Sequence, residues 1–174
     1  MPAPLLSDAE IAAPITCILS DVDGVMTDGR IIYDSAGNEV KRFHVRDGLG
    51  IKLWMNSGFQ FGILTARNST MVQRRADELG IRSVQQGYED KAPAAAKMIE
   101  EFGCELAQVC YVGDDLPDVP VMKQVGLAVA PADAATDACN AADWILRQGG
   151  GEGALREVIE RLMRAKQRWE EHLR

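Results

Sequence analysis

The chain has 174 residues, 47% of them apolar and 26% charged, a profile that excludes a disordered chain and fits one folded domain, 1–174. Its formal net charge of -7 repels nucleic acid and anionic lipid, so an anionic substrate needs local positive charge.

From the N-terminus, Met1 to Pro14 has no basic start, and Asp8 and Glu10 interrupt the apolar stretch that a secretion signal needs. No run approaches the roughly 20 apolar residues of a membrane span, so a cytoplasmic protein is expected. Ile15 to Ser20 is a short apolar run ending at Asp21, the pattern of a strand buried on both faces. Arg30 to Tyr33 and Glu39 to Val45 flank the turn-forming Asp34-Ser35-Ala36-Gly37-Asn38 and predict a β-hairpin over 30–45. Gly48 to Asn56 has a helical pattern that stops at Gly58, and Phe59 to Leu64 forms a second buried strand. Asn68 is the expected cap of a helix with Val72, Ala76 and Leu79 on one face, ended by Gly80.

Ser83 to Gln86 follows as a strand and Ala92 to Phe102 as a helix opening with Pro93. Gln108 to Val112 is a strand, Asp118 to Gln124 a short helix, and Leu127 to Ala130 a strand. Gly149 to Gly153 is too glycine-rich to hold one shape alone. Leu155, Val158, Ile159, Leu162 and Met163 follow helical spacing and predict an amphipathic C-terminal helix over 154–173. Cys17, Cys104, Cys110 and Cys139 include no C-x-x-C pair and are expected as reduced apolar side chains. The alternation of strands and helices predicts an α/β fold, a doubly wound Rossmann-like parallel sheet whose ligands bind at the carboxyl ends of the strands.

Three of those strands deliver polar groups to one sheet edge: Asp21 and Asp23, then Thr65, then Asp114 and Asp115. Converging carboxylates repel each other, and such hard oxygen ligands select Mg²⁺. The cation would also ease the approach of a phosphate dianion to a carboxylate nucleophile. Thr65 can donate a hydroxyl hydrogen bond to a phosphoryl oxygen, and Lys91 supplies a point charge for the same group. Arg46, Asp47 and Arg67 are either a structural ion-pair cluster or substrate contacts. His44 is expected as a hairpin residue.

Asp21-Val22-Asp23-Gly24-Val25-Met26-Thr27-Asp28 resembles the first motif of the haloacid dehalogenase superfamily. Ile63-Leu64-Thr65-Ala66-Arg67, Lys91, and Gly113-Asp114-Asp115-Leu116-Pro117-Asp118 resemble its second, third and fourth motifs, in order. The resemblance implies that Asp21 is the nucleophile and Asp23 the proton shuttle. It further implies that Thr65 and Lys91 hold the phosphoryl group, and that Asp21, the Asp23 carbonyl and Asp114 hold Mg²⁺. Asp115 and Asp118 are implied to orient the metal water or Lys91.

The gaps from Asp23 to Thr65 and from Thr65 to Lys91 leave no room for an inserted cap domain. From Ile15 to Met163 the chain resembles the small cap-less phosphatases of 3-deoxy-D-manno-octulosonate 8-phosphate (Kdo 8-phosphate). Phe43-His44-Val45-Arg46-Asp47-Gly48 and Gly150-Gly151-Glu152-Gly153-Ala154-Leu155-Arg156-Glu157 carry that resemblance, although Glu152 stands where a basic residue is common. It implies a phosphorylated sugar acid substrate, a role in lipopolysaccharide precursor synthesis, and a homotetramer with shared active sites. A sister group acting on nine-carbon sialic-type 9-phosphates usually has an acidic residue where Arg67 stands; a guanidinium there suits the substrate carboxylate and favours the eight-carbon sugar. The alternatives are that nine-carbon phosphatase and a catalytically silent regulator of the same fold, against which the intact Asp21 and Asp23 argue.

Overall fold

The computed structural model describes residues 7–173. The first six residues of the N-terminal stretch read for a secretion signal therefore lie outside the described residues. In chain order the elements are α1 (Asp8–Ala12), β1 (Cys17–Ser20), β2 (Ile32–Tyr33), β3 (Glu39–Val40), α2 (Val45–Asn56), β4 (Gln60–Thr65), α3 (Thr70–Leu79) and β5 (Ser83–Gln86). They continue with α4 (Lys91–Glu101), β6 (Val109–Val112), α5 (Val119–Met122), β7 (Leu127–Ala130), α6 (Thr136–Ala141), β8 (Trp144–Ile145) and α7 (Ala154–Ala165).

Six strands pair in parallel in the order β5-β4-β1-β6-β7-β8, while β2 and β3 form a separate antiparallel hairpin. Strand β1 is buried throughout because it lies between two neighbours, with Ser20 opposite Ile63 of β4 and Val112 of β6. Alternate side chains feed two cores, as strand geometry requires. Ile18, Cys110 and Val112 join Trp54, Val72, Leu155 and Ile159 on one face, under α1, α2, α3 and α7. Cys17, Leu19, Val109 and Tyr111 join Met98, Val121 and Ala138 on the other, under α4, α5 and α6. All four cysteines are free, and Cys17 and Cys110 are fully buried. This is the doubly wound architecture expected from the alternation, and among the described residues no cap domain covers the sheet edge.

Several boundaries differ from the sequence expectation. The hairpin strands are two residues each, closed by Asp34, whose Oδ1 accepts from the amides of Ala36 and Asn38 at 2.9 and 2.8 Å. Val45, expected in the second hairpin strand, instead opens α2. His44 caps that helix, its Nδ1 accepting from the Arg46 amide at 3.2 Å. Side-chain capping there outweighs the strand preference of a β-branched residue. Ser69, not Asn68, caps α3, through its hydroxyl and the Met71 amide.

The predicted C-terminal helix over 154–173 stops at Ala165. Gln167 takes a left-handed φ of 58°, and a 3₁₀ turn over Trp169–His172 folds back. This reversal buries Trp169 under the guanidiniums of Arg156 and Arg164, 4.6 and 5.4 Å from its ring centre. Burial of one large aromatic ring is reason enough for the chain to leave the helix. The short α1 opens on a capping box of Ser7 and Glu10, a signal that the sequence carries and its reading overlooked, whereas α6 has no side-chain cap and β8 is only two residues long.

Candidate active site

The strand order runs outward from β1 through β4 to β5, and resumes on the other side of β1 with β6. Chains leaving β1 and β6 therefore diverge and open a crevice at their carboxyl ends. Asp21 leaves β1 at this crevice, with its amide bound to the Val112 carbonyl at 3.0 Å. The chain then turns on Val22, whose carbonyl accepts from the amides of Val25, Met26 and Thr27. Gly24 must be glycine twice over: its φ is 92°, and a Cβ there would sit 2.0 Å from Asp114 Oδ2.

The glycine-rich segment, expected to hold no shape by itself, is docked onto this same loop. The Gly151 amide donates to the Val25 carbonyl at 2.9 Å, and the Gly150 amide to Asp133 Oδ1 at 2.8 Å. A Cβ on Gly150 would lie 2.0 Å from the Gly24 carbonyl oxygen. Missing side chains are what allow two backbones to touch here.

Lys91 opens α4, and its buried ammonium donates to Asp118 Oδ1 at 2.7 Å and pairs with Asp21 Oδ1 at 2.9 Å. Asp118 is fully buried and also accepts from the Tyr111 hydroxyl at 2.6 Å and from the amides of Asp114 and Asp115. Carboxylate oxygens of Asp21, Asp114 and Asp118 all lie within 4.8 Å of one another. Burial, and then the charge of Asp118, pushes the Asp21 carboxyl up, with Lys91 opposing. Burial, and then Asp21 and Asp118, pushes Asp114 up as well. For Lys91, burial disfavours the charge, but Asp21 and Asp118 outweigh it and hold the ammonium above its ordinary value.

Three carboxylates against one lysine leave this cluster short of positive charge, and buried Asp114 Oδ1 has no hydrogen-bond partner. An unpartnered oxygen among converging carboxylates is the donor set that a small hard divalent cation takes. Thr65 lies buried at the end of β4, beside the crevice. Asp115, expected to orient Lys91 or a metal water, is exposed and caps the following 3₁₀ turn by accepting from the Leu116 amide at 2.8 Å.

The hairpin supplies residues that the sequence reading overlooked. Lys41, its side chain 2% exposed, binds Asp23 Oδ1 and lies 3.4 Å from Glu39 Oε1. Arg67 donates from Nη2 to Glu39 Oε1 at 3.1 Å and places Nε 3.7 Å from Asp23 Oδ2. Ser69 donates its hydroxyl to Glu39 Oε2. The spacing of Glu39 and Lys41, two residues apart at a strand end, was the available signal, since it puts both on one face. Arg46, Asp47 and Arg67 do not form one cluster. Asp47 is buried and accepts from the Arg156 amide at the start of α7 at 2.7 Å, whereas exposed Arg46 lines a groove of about 810 Å³ beside α7.

A doubly wound sheet that gathers carboxylates, a buried lysine and a threonine hydroxyl at its central strand ends defines an enzyme of phosphoryl transfer. Residues 45–126 match the family model of haloacid dehalogenase-like hydrolases. The 3-deoxy-D-manno-octulosonate 8-phosphate phosphatase KdsC of Yersinia pestis is 43% identical over 91% of this chain and 85% of its own length. The crystal structure of a Y. pestis phosphatase of that name superposes with a TM-score of 0.92, at 42% identity over 96% of this chain and 91% of that one. The Moraxella catarrhalis phosphatase, solved in complex with magnesium ion, phosphate ion and KDO, also gives 0.92, at 38% identity over 95% of both chains. The chain belongs to the haloacid dehalogenase-like hydrolases, in the family of the 3-deoxy-D-manno-octulosonate 8-phosphate phosphatases.

Proposed function

We propose that this protein is a Mg²⁺-dependent phosphatase that releases phosphate from Kdo 8-phosphate, acting in the cytoplasm in lipopolysaccharide precursor synthesis. The observation that carries the reading is the convergence of the Asp21, Asp114 and Asp118 carboxylates at the carboxyl ends of β1 and β6, with buried Lys91 paired to Asp21 and Asp118. The magnesium ion, phosphate ion and KDO bound by the Moraxella phosphatase support the same reading.

Mg²⁺ would be held by the carboxylates of Asp21 and Asp114 and by the Asp23 carbonyl, and bound there it neutralises the repulsion that opposes an incoming phosphate dianion. Asp21 attacks phosphorus, forming an acyl phosphate as the bond to the sugar oxygen breaks. Asp23 gives its proton to that leaving oxygen, then takes one from the water that attacks the acyl phosphate and frees Asp21. Lys91, fixed by Asp118, and Thr65 hold the phosphoryl oxygens. Arg67, at the rim beside Asp23, takes the substrate carboxylate.

Among the described residues the crevice has no lid of its own, and on this reading a neighbouring subunit closes it, in a homotetramer with shared sites. Exposed apolar residues on and beside the hairpin, Ile31, Tyr33, Val40, Val45 and Leu49, support this assembly.

The test is phosphate release, with and without Mg²⁺, from Kdo 8-phosphate, sialic-type 9-phosphates and hexose phosphates. Release is expected with the metal and preferentially from the eight-carbon acid. Preference for the nine-carbon set overturns the substrate, and no release from any of them overturns the enzyme. Asp21→Asn is expected to lower turnover on the order of 10⁴-fold or more while leaving the circular dichroism spectrum unchanged.

A further inference from the structure

The hairpin stands beside the site as more than an assembly surface. Its second strand opens with Glu39, and two residues on Lys41 reaches back over the first-motif loop to Asp23, 18 positions earlier in the chain. The two oxygens of Asp23 are unlike. Oδ1 binds the Lys41 ammonium and lies 3.4 Å from the Thr27 hydroxyl, whereas Oδ2 is buried and has no hydrogen-bond partner, its nearest cation being Arg67 Nε at 3.7 Å.

An ammonium is a donor only, so the oxygen facing it cannot also carry a proton toward it. We infer that Lys41 is a positioning residue for the general acid: it fixes the Asp23 carboxyl through Oδ1 and so assigns the transferable proton to Oδ2. The inference rests on the phosphatase reading and deepens it. Glu39 completes the device. Its carboxylate lies between Lys41 and Arg67 and accepts from the Ser69 hydroxyl at the head of α3, which ties the hairpin to the helix after β4. With Asp23 ionised, two cations and two carboxylates balance in this group, and when Asp23 carries its proton the Glu39 carboxylate still pairs with both Lys41 and Arg67. The hairpin of the same chain thereby contributes to the chemistry, independently of what a neighbouring subunit supplies.

Positioning of a general acid has a signature that packing or substrate binding lacks, because its effect depends on how badly the leaving group needs a proton. The experiment measures single-turnover release of the leaving group, with enzyme in excess, by wild type, Lys41→Met, Lys41→Gln and Lys41→Arg. The substrates are Kdo 8-phosphate and glycerol phosphate, whose alkoxides need protonation, and p-nitrophenyl phosphate, whose phenolate does not. For Lys41→Met a loss of about 10- to 100-fold is expected on both alkyl phosphates, within the 10²–10⁴-fold that general acids contribute. Less than a twofold change is expected on p-nitrophenyl phosphate, and Lys41→Arg should recover part of the loss.

Equal loss on all three substrates overturns the inference in favour of a structural role, as does unchanged release throughout. A higher half-saturating enzyme concentration confined to Kdo 8-phosphate, with the saturating rate unchanged, overturns it in favour of a carboxylate contact. If Lys41→Met fails to fold, as judged by thermal melting, the same comparison between Lys41→Gln and Lys41→Arg decides. Wild type that cleaves glycerol phosphate but not Kdo 8-phosphate refutes the substrate reading and leaves the role of Lys41 to be judged on the other two compounds.

Discussion

Asp21 is buried and Asp114 half-buried among like charges, and the pH dependence of the fold follows from that. Their carboxyls are pushed up, toward about 6 and about 8. A carboxyl raised on folding binds its proton more tightly in the native state. Its stabilising effect is therefore complete below the ordinary carboxylate range near 4 and is lost as pH rises through the raised values. Metal-free protein is expected to lose this contribution between about pH 4 and about pH 8. A divalent cation competes with those protons, so the rise in melting temperature caused by Mg²⁺ should be larger at pH 8 than at pH 5. Thermal melts with and without Mg²⁺ across that range check this, and a pH-independent shift would count against the cluster as the metal site. Asp118 accepts four hydrogen bonds and bears no exposed surface. Asp118→Asn turns an amide donor toward one of those donors and leaves Lys91 with one carboxylate partner fewer. A loss of about 3–5 kcal/mol in denaturant unfolding is expected, as for other broken buried pairs.

Loops and helices meet at the site through backbone contacts that side chains would prevent. Gly150 touches the Gly24 carbonyl, and Gly24 lies against Asp114, so the segment before α7 braces the loop that carries Asp21 and Asp23. Gly150→Ala should push that loop, costing about 1–3 kcal/mol of stability and lowering both turnover and Mg²⁺ affinity. Gly103→Ala is the comparison. It also has a positive φ, 66°, but its new Cβ meets nothing within 4 Å, so about 1 kcal/mol of backbone strain with unchanged turnover is expected. Equal effects of the two on turnover would show that the brace does not matter. The main strands and helices were legible because their apolar runs and turn residues lie close in sequence. Residues Val45 and Gln167 were not, because a histidine cap and a buried tryptophan overrule the local preference in each case.

Taken whole, the molecule is a two-faced sandwich with an open crevice and a hairpin whose outer apolar side chains are uncovered. Uncovered apolar groups gathered on one projecting element favour self-association. Light scattering on the purified protein should give about four times the 19.0 kDa chain mass, a tetramer. Tyr33→Glu combined with Val40→Lys should dissociate it and depress activity on Kdo 8-phosphate, while leaving the melting transition of the subunit in place. A monomeric wild type would remove the shared-site proposal. Among the described residues no helix is long and apolar enough to cross a membrane.

Four motifs in order, each at the end of a short apolar run or the start of a helix, carried the architecture and the phosphoryl-transfer chemistry in the amino-acid sequence alone. Strand burial and carboxylate clustering leave marks that are local: apolar runs, turn residues, acidic pairs. Tertiary structure decided that Lys91 is buried between Asp118 and Asp21, that Asp115 caps a 3₁₀ turn, and that Gly150 rests on Gly24. It alone brought Lys41 to Asp23 and Glu39 to Arg67. The physical reason is that a contact between residues far apart in the chain depends on where whole elements pack: the spacing of Glu39 and Lys41 marks a shared face, but not what that face meets.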